Sequence, residues 1–276
     1  TALLFLLTAV TIQIATNLAN DYFDYEKGAD TRDRVGPTRV TAAGLVAPQT
    51  MKRAFILTFG LAAVLSVPLI LRGGWPILTI AILSILSGIF YTAGPRPLGY
   101  LGLGEIFVLI FFGPVATAGT FYVEAIPVLY ASPSYSIFNF SLWWVIKIPI
   151  SAGLGPGFLS MAILAVNNLR DMESDRRSGK KTLAVRFGRN FAKAEYVFAI
   201  LASSFVPILV YWSSFTSYFI FVASSIGFFA LPSIYTVCTK SDGPSLNNAL
   251  AHTSFLLVLY TVLFSSGLIL QTLWPL

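Results

Sequence analysis

Eight apolar runs, each close to twenty residues long, fill most of this chain and leave little room for any fold but a membrane bundle. They lie at 1–20, 53–71, 75–93, 102–123, 142–167, 194–212, 217–238 and 249–273. A helix needs about 20 apolar residues to cross the hydrocarbon core. Lipid offers backbone groups no partners, so helices are the natural spanning element for such runs. Charged residues make up only 11% of the 276 residues, against about 25% in soluble domains. The breaks gather polar and turn-forming residues: the charged stretch after Asn20, Arg72-Gly73-Gly74, Gly94-Pro95-Arg96-Pro97, the segment 124–141, the charged stretch after Asn168, and the short breaks 213–216 and 240–248. The expected fold is all-α: a polytopic transmembrane helical bundle of eight helices, a single domain over 1–276. Thr1 stands inside an apolar run, and the reading is of an N-terminally truncated domain whose first helix is missing, which would bring the total to nine.

The remaining charge is concentrated. The windows 21–53 and 170–195 hold 9 of the 12 acidic and 14 of the 18 basic residues. Alternating the spans puts the loops 21–52, 94–101, 168–193 and 239–248 on one side. With Arg53 they carry 16 of the 18 Lys and Arg residues, leaving Arg72 and Lys147 opposite. By the positive-inside rule that basic side is cytoplasmic. The net charge of +6 is thus a matter of loop topology at a lipid bilayer, with no call for a nucleic-acid partner. The single cysteine, Cys238, excludes a disulfide framework and a multi-Cys metal site. The single histidine, His252, argues against a His-based zinc site and reads as a helix-packing residue. The opening run has no basic n-region or cleavage pattern, so it is no signal peptide. Lys147 is expected to snorkel to the outer interface. Gly153, Gly155, Pro156 and Gly157 predict close helix packing or a kink.

Both acidic clusters end an apolar run. The first reads Asn20-Asp21-Tyr22-Phe23-Asp24-Tyr25-Glu26-Lys27-Gly28-Ala29-Asp30, and the second Asn167-Asn168-Leu169-Arg170-Asp171-Met172-Glu173-Ser174-Asp175. Residues four apart share a helix face. Asn20 with Asp24, and Asn167 with Asp171 and Asp175, therefore each project oxygen ligands in one direction. Gly28 lets the chain turn so that Asp30 swings back toward Asp24. Carboxylate and amide oxygens suit Mg2+, which takes one or two carboxylates and completes its shell with water and substrate phosphates. A solvated helix end is the better reading of any single Asp. Two Asn-led clusters on one side, in a chain that otherwise avoids charge, favour a site. Lys27, Arg34, Arg39, Arg96, Lys180 and Lys181 are the candidate phosphate contacts, because guanidinium groups bind phosphate oxygens bidentately and Lys acts as a point charge. No GxxxxGK[ST] phosphate loop is present. Glu105, just inside a span, is expected to position a substrate or to pair with Arg96. Asn20-xxx-Asp24 and Asn167-xxx-Asp171 also echo each other weakly, as two related halves would.

At these residues the chain resembles the UbiA superfamily of intramembrane aromatic prenyltransferases. Asp24 and Asp30 are six apart rather than four, and Arg34-Val35-Gly36-Pro37-Thr38-Arg39 follows. That form is similar to the MenA branch, which acts on 1,4-dihydroxy-2-naphthoate. So are the segments 17–30, 91–105 and 175–188. The resemblance implies a bundle of nine helices around a central cavity. It implies two Mg2+ ions bridging an isoprenyl diphosphate to metal ligands Asn20, Asp24, Asp30, Asn167, Asp171 and Asp175, the aspartates being catalytic. Tyr91, Tyr100 and Glu105 are the expected acceptor-binding residues. Ionisation of the allylic C–O bond, attack by a naphthoate ring carbon, and loss of CO2 and a proton would follow, in menaquinone or phylloquinone synthesis. The implied setting is a bacterial inner membrane with the site facing the cytoplasm.

Other readings fit less well. A branch acting on 4-hydroxybenzoate, homogentisate or chlorophyllide would not need the six-residue spacing or the 34–39 stretch. A cation transporter would place its ionisable residues near the bilayer midplane, whereas these sit at one surface. A CDP-alcohol phosphotransferase would carry a DxxDGxxAR-type run, which is absent.

Overall fold

The computed structural model describes residues 1–29, 36–131, 142–214 and 217–273. Its helices are α1 (Ala2–Glu26), α2 (Pro48–Gly73), α3 (Trp75–Phe90), α4 (Gly104–Ile110), α5 (Ala116–Ala131), α6 (Leu142–Arg177), α7 (Leu183–Phe187), α8 (Arg189–Ser214), α9 (Ile226–Phe229), α10 (Leu231–Thr239) and α11 (Gly243–Leu273). There is no β-strand among the described residues. Among the described residues, seven helical stretches are long and apolar enough to cross a membrane. The all-α, multi-pass expectation therefore holds.

The eighth expected span is the exception. The run 75–93 yields α3, only 16 residues long. At 1.5 Å per residue it covers about 24 Å, short of the ~30 Å hydrocarbon core. Its last apolar residues instead enter the turn leading to Gly94, which has φ 83°. The run 102–123 also departs from a plain helix. A π-helical turn, Phe111–Val115, joins α4 to α5, and Gly113 inside it has φ −109° and ψ −105°. Pro114 has no N–H to give the ladder, so the register slips there. At the clusters the helices outlast the apolar runs: α1 continues to Glu26 and α6 to Arg177. Asn20, Asp21, Asp24 and Glu26 of the first cluster and the whole of the second are consequently helical, on final turns rather than in loops.

The chain divides into two compact units. The first gathers Thr1–Gly104, Gly119–Phe140 and Asp171–Val185. In it, Ala15, Ala19 and Tyr22 of α1 pack against Met51, Phe55 and Phe59 of α2. Tyr22 and Phe23 bring their ring centroids to 5.5 and 5.6 Å from that of Phe55. Gly88 lets α3 lie against α1, since a Cβ there would meet the Thr16 hydroxyl. A second cluster joins Leu69, Ile77 and Val123.

The second unit gathers Glu105–Ala118, Ser141–Arg170 and Arg186–Leu276. Here the expected close approach of the glycines appears. A Cβ on Gly157 would stand 2.6 Å from the Leu109 carbonyl oxygen, and one on Gly153 would stand 2.8 Å from the Gly113 backbone. Gly267 of α11 faces the backbone of Phe219 and Ile220. Ser217 seals that contact, its hydroxyl donating to the Gly267 carbonyl at 2.8 Å and accepting from Phe219 N–H at 3.1 Å. The Lys147 ammonium donates to the Ser213 carbonyl at 3.0 Å, near the end of α8. His252 hydrogen-bonds Ser233, as a packing residue would. Lipid tails are as apolar as Leu, so helix association here depends on close packing rather than on water exclusion. Large apolar side chains such as Leu71, Trp75 and Phe228 accordingly face outward.

Gly267→Ala is expected to destabilise the fold by about 1–3 kcal/mol, because the added Cβ would lie 2.7 Å from Ile220 N and backbone must move. Gly60→Ala, where a Cβ meets nothing within 4 Å, should be neutral or stabilising by about 0.5–1 kcal/mol. Thermal unfolding of both variants in detergent checks this; equal midpoints would refute the packing account.

Candidate active site at two helix ends

The first unit carries Asn20, Asp24, Asp171 and Asp175 together. Asp24 is 1% exposed. Its Oδ1 accepts from the Tyr100 hydroxyl at 2.9 Å, and its Oδ2 accepts from Lys180 Nζ at 2.9 Å. Two cations flank the same ring: Lys27 Nζ lies 4.7 Å and Lys180 Nζ 5.1 Å from the Tyr100 centroid. Lys27 also donates to the carbonyls of Thr92 and Gly94. Burial lowers the Lys27 pKa below lysine's ordinary value; Asp24 opposes that shift and Lys180 adds to it. Asn20 Oδ1 accepts from the Thr92 hydroxyl at 2.9 Å. The acidic end of α1 is thus tied on all sides to cations and hydroxyls.

Both clusters are terminated in the same way. At the end of α1, Gly28 adopts φ 64° and Ala29 N–H donates to the Asp24 carbonyl at 2.8 Å. At the end of α6, Gly179 adopts φ 76° and Lys180 N–H donates to the Asp175 carbonyl at 2.9 Å. Each is a Schellman-type end, in which a left-handed glycine lets the chain fold back onto the last turn. The cap aligns Asn20, Asp24 and Gly28 with Asp171, Asp175 and Gly179. The internal echo is therefore one helical step away from the alignment of Asn167 with Asn20 that the letters suggest. Asp171 and Asp175 are 7% and 9% exposed.

The turn at 98–102 joins the second helix end. Lys181 N–H donates to the Tyr100 carbonyl at 2.9 Å. A Cβ at Gly102, which has φ 68°, would stand 2.7 Å from the Lys181 carbonyl oxygen. This backbone contact carries Lys180, not Lys181, onto Asp24. The Lys181 side chain is exposed, as is that of Arg96. Tyr91 lies along Gly99, whose Cβ would meet its ring at 3.0 Å. Arg39 is half-buried on the turn after the first cluster. Asp30 and Arg34 lie outside the described residues.

Two expected partnerships differ. Tyr100, expected at the acceptor, donates its hydroxyl to Asp24. Glu105, in the second unit, accepts from Asn168 Nδ2 at 2.7 Å rather than pairing with Arg96. In that unit Asn167 Oδ1 accepts from Arg170 Nη2 at 2.7 Å, while Arg170 Nη1 donates to Asn247 Oδ1 at 2.7 Å. Three contributors were missed. Asp21 accepts from the Val40 and Thr41 N–H groups, both at 3.1 Å, and so organises the turn after the cluster. Thr92 orients Asn20. Arg170 holds Asn167. Only Arg170 carried a sequence signal, as a buried-register charge inside the second motif.

The donors fit a hard cation. The first unit offers carboxylate and amide oxygens, while the chain's one histidine and one cysteine lie in the second unit. No three Asp, Glu, His or Cys side chains among the described residues gather to hold a metal by themselves. Carboxylate and amide oxygens are donors that Mg2+ takes, with water and phosphate filling the rest of its shell.

A family model described as the UbiA prenyltransferase family matches residues 1–259. The 1,4-dihydroxy-2-naphthoate octaprenyltransferase of Haemophilus influenzae is 33% identical over 275 residues, spanning 96% of this chain and 82% of the relative. The Escherichia coli protein of the same name is 40% identical over 208 residues, 73% of this chain and 62% of its own length. A 2-carboxy-1,4-naphthoquinone phytyltransferase from Synechocystis is 31% identical over 186 residues, 67% of this chain and 54% of the relative. An acidic helix end bound by lysine and tyrosine, repeated with its glycine cap on a second helix of a multi-pass chain, accords with that match: this chain belongs to the UbiA prenyltransferase family.

Proposed function

We propose that this chain transfers an isoprenyl group from a prenyl diphosphate to 1,4-dihydroxy-2-naphthoate, with decarboxylation, in menaquinone or phylloquinone synthesis. The names of its relatives support the acceptor. The observation that carries the chemistry is the buried Asp24 carboxylate, held by Lys180 and Tyr100, in the unit that also contains Asp171 and Asp175.

In this reading Asn20, Asp24, Asp171 and Asp175, with Asn167 and Asp30, hold two Mg2+ ions. Bound Mg2+ would supply Lewis-acid stabilisation of charge on the departing diphosphate. The chain's own residues do the rest. Lys180 and Lys27 present positive charge beside Asp24 and attract phosphate oxygens. Arg34, Arg39, Arg96 and Lys181 add further positive charge for phosphate oxygens. Tyr100 fixes the orientation of Asp24, and Tyr91 backs the turn that carries Tyr100. As the allylic C–O bond breaks, the diphosphate keeps the electron pair, a ring carbon forms the new C–C bond, and loss of CO2 and a proton restores the aromatic ring. Glu105 faces the acceptor. The site opens to the cytoplasm, a placement supported by the 16 of 18 basic residues on its side.

Asp24→Ala and Asp175→Ala should each lower Mg2+-dependent turnover roughly a hundredfold or more while the helices stay folded. Lys180→Met should raise the KM for prenyl diphosphate roughly tenfold, with little change for the acceptor. The same variant should bind Mn2+ more tightly without substrate, read by electron paramagnetic resonance, because a competing cation has left Asp24. Wild-type kinetics in the aspartate variants would remove the metal-site reading.

Topology is checked by labelling intact cells with an impermeant thiol reagent. With the exposed Cys238 replaced by Ser, a cysteine at Trp75 should label from outside and one at Ser178 only after permeabilisation. The reverse pattern would invert the orientation.

A further inference from the structure

Asp21 sits inside the first acidic cluster, next to Asn20 and one turn before Asp24, so the letters offer it to the same ligand as its neighbours. The fold gives it another task. It is buried, and both of its oxygens are engaged: Oδ2 accepts from Val40 N–H and Oδ1 from Thr41 N–H, each at 3.1 Å. Those two N–H groups open a single helical turn. Ala43 N–H donates to the Arg39 carbonyl at 3.0 Å, and Leu45 N–H donates to the Val40 carbonyl at 2.9 Å across Gly44, which has φ 74°. The turn over 39–45 is thus closed by a left-handed glycine, as the ends of α1 and α6 are. The first N–H groups of any helical turn have no carbonyl of their own to reach. Asp21 supplies the acceptors from 19 and 20 residues earlier in the chain.

This arrangement separates two roles that spacing alone cannot. Asn20 and Asp24 are four apart and share a helix face. Asp21 is turned about 100° from Asn20 around the same helix, and it spends both oxygens on backbone. A carboxylate is a favoured cap for open N–H groups, and a buried one needs such partners. Val40 and Val46 pack, partly buried, against the cluster formed by α1 and α2. Apolar contacts therefore hold the body of the turn, while Asp21 fixes its leading edge. That edge carries Arg39, whose carbonyl carbon is bonded to the Val40 nitrogen that Asp21 grips.

We propose that Asp21 is a positioning residue and not a metal ligand: it clamps the 39–45 turn to α1 so that Arg39 is held for the phosphate groups of the donor. This rests on the prenyl diphosphate given under the proposed function and deepens it. Asp24 stands one turn beyond Asp21, so the clamp and the proposed metal ligand share one helix end. An arginine whose backbone is fixed there loses less freedom on meeting a phosphate than one on a loose loop, and preorganisation of this kind strengthens binding. Asp21 acts on the donor through Arg39, touching neither metal nor acceptor.

The test uses the full chain in detergent. Amide hydrogen exchange reads the turn, Mn2+ binding without substrate reads the metal ligands, and binding of inorganic pyrophosphate with Mg2+ reads the phosphate contact. Asp21→Ala should speed exchange over 39–45 roughly tenfold or more, while the body of α2 stays protected. It should weaken pyrophosphate binding roughly five- to tenfold and raise the donor KM to match, with the acceptor KM unchanged within about twofold. Its Mn2+ affinity should stay within about twofold of wild type, whereas Asp24→Ala should lower it roughly tenfold or more. In an Arg39→Met background, Asp21→Ala should weaken pyrophosphate binding by no more than about a further twofold, because both changes remove one contact. Asp21→Asn keeps one accepting oxygen and should fall between Ala and wild type.

Unchanged exchange over 39–45 in Asp21→Ala would overturn the clamp. Loss of Mn2+ binding on the scale of Asp24→Ala would make Asp21 a ligand, and full additivity with Arg39→Met would cut its link to Arg39; either result overturns the proposal. If Asp21→Ala does not fold, Asp21→Asn carries the same comparisons. A wild type that binds neither Mn2+ nor pyrophosphate would sink the proposed function instead, and the exchange measurement then still decides the clamp.

Discussion

Charge is expensive inside hydrocarbon, and this one constraint decides where the chemistry of the chain can be. Helices satisfy their own backbone groups through the bilayer, and hydroxyls along them bond back to their own helix, as Thr8, Thr16 and Thr58 do to carbonyls four residues earlier. Carboxylates have no such recourse. Asp24 is tolerated at 1% exposure because it stands at a helix end, where a lysine from a distant turn and a tyrosine hydroxyl both reach it. The chain's polar chemistry collects at helix ends because those are the places where partners can be supplied.

The sequence was most legible where this constraint acts most simply. Eight apolar runs predicted helices, and helices stand at all eight positions. Asn20 with Asp24, and Asp171 with Asp175, were recognisable from a four-residue spacing that any helix imposes. Boundaries were less legible, because helices need no long apolar run to continue once begun; α6 goes on through Arg177 on mostly polar side chains, with Leu169 and Met172 buried among them. The shortness of α3 depends on the turn after Phe90, not on hydropathy. The register of the internal echo became visible only through the capping bonds, since backbone geometry, not side-chain identity, aligns Gly28 with Gly179.

Partnerships across long sequence distances were the least legible. Lys180 and Lys181 are adjacent and chemically equal, yet only Lys180 reaches Asp24. The choice is made by the Lys181 N–H to Tyr100 carbonyl bond, a tertiary contact with no local signature. Tyr100 was expected at the acceptor from the resemblance; the bond its hydroxyl makes to Asp24 has no signal in the letters. Glu105 had Arg96 as a cation nine positions earlier in the letters, and the fold gives it an amide instead. Charged and polar groups are versatile partners, and sequence proximity is a poor guide to which partner a folded chain selects.

The shared glycine-capped ends of α1 and α6 carry an electrostatic consequence. Peptide dipoles sum along a helix to leave roughly half a negative charge at its C-terminus. Both aspartate pairs stand on the last two turns of long helices, so the carboxylates add to a field that is already negative. Such an end repels a bare polyanion and draws in a cation or a neutralised complex. In the proposed reaction such an end would favour a diphosphate whose charge is already neutralised over one that arrives bare. The backbone itself would enforce an order of arrival that no single side chain specifies.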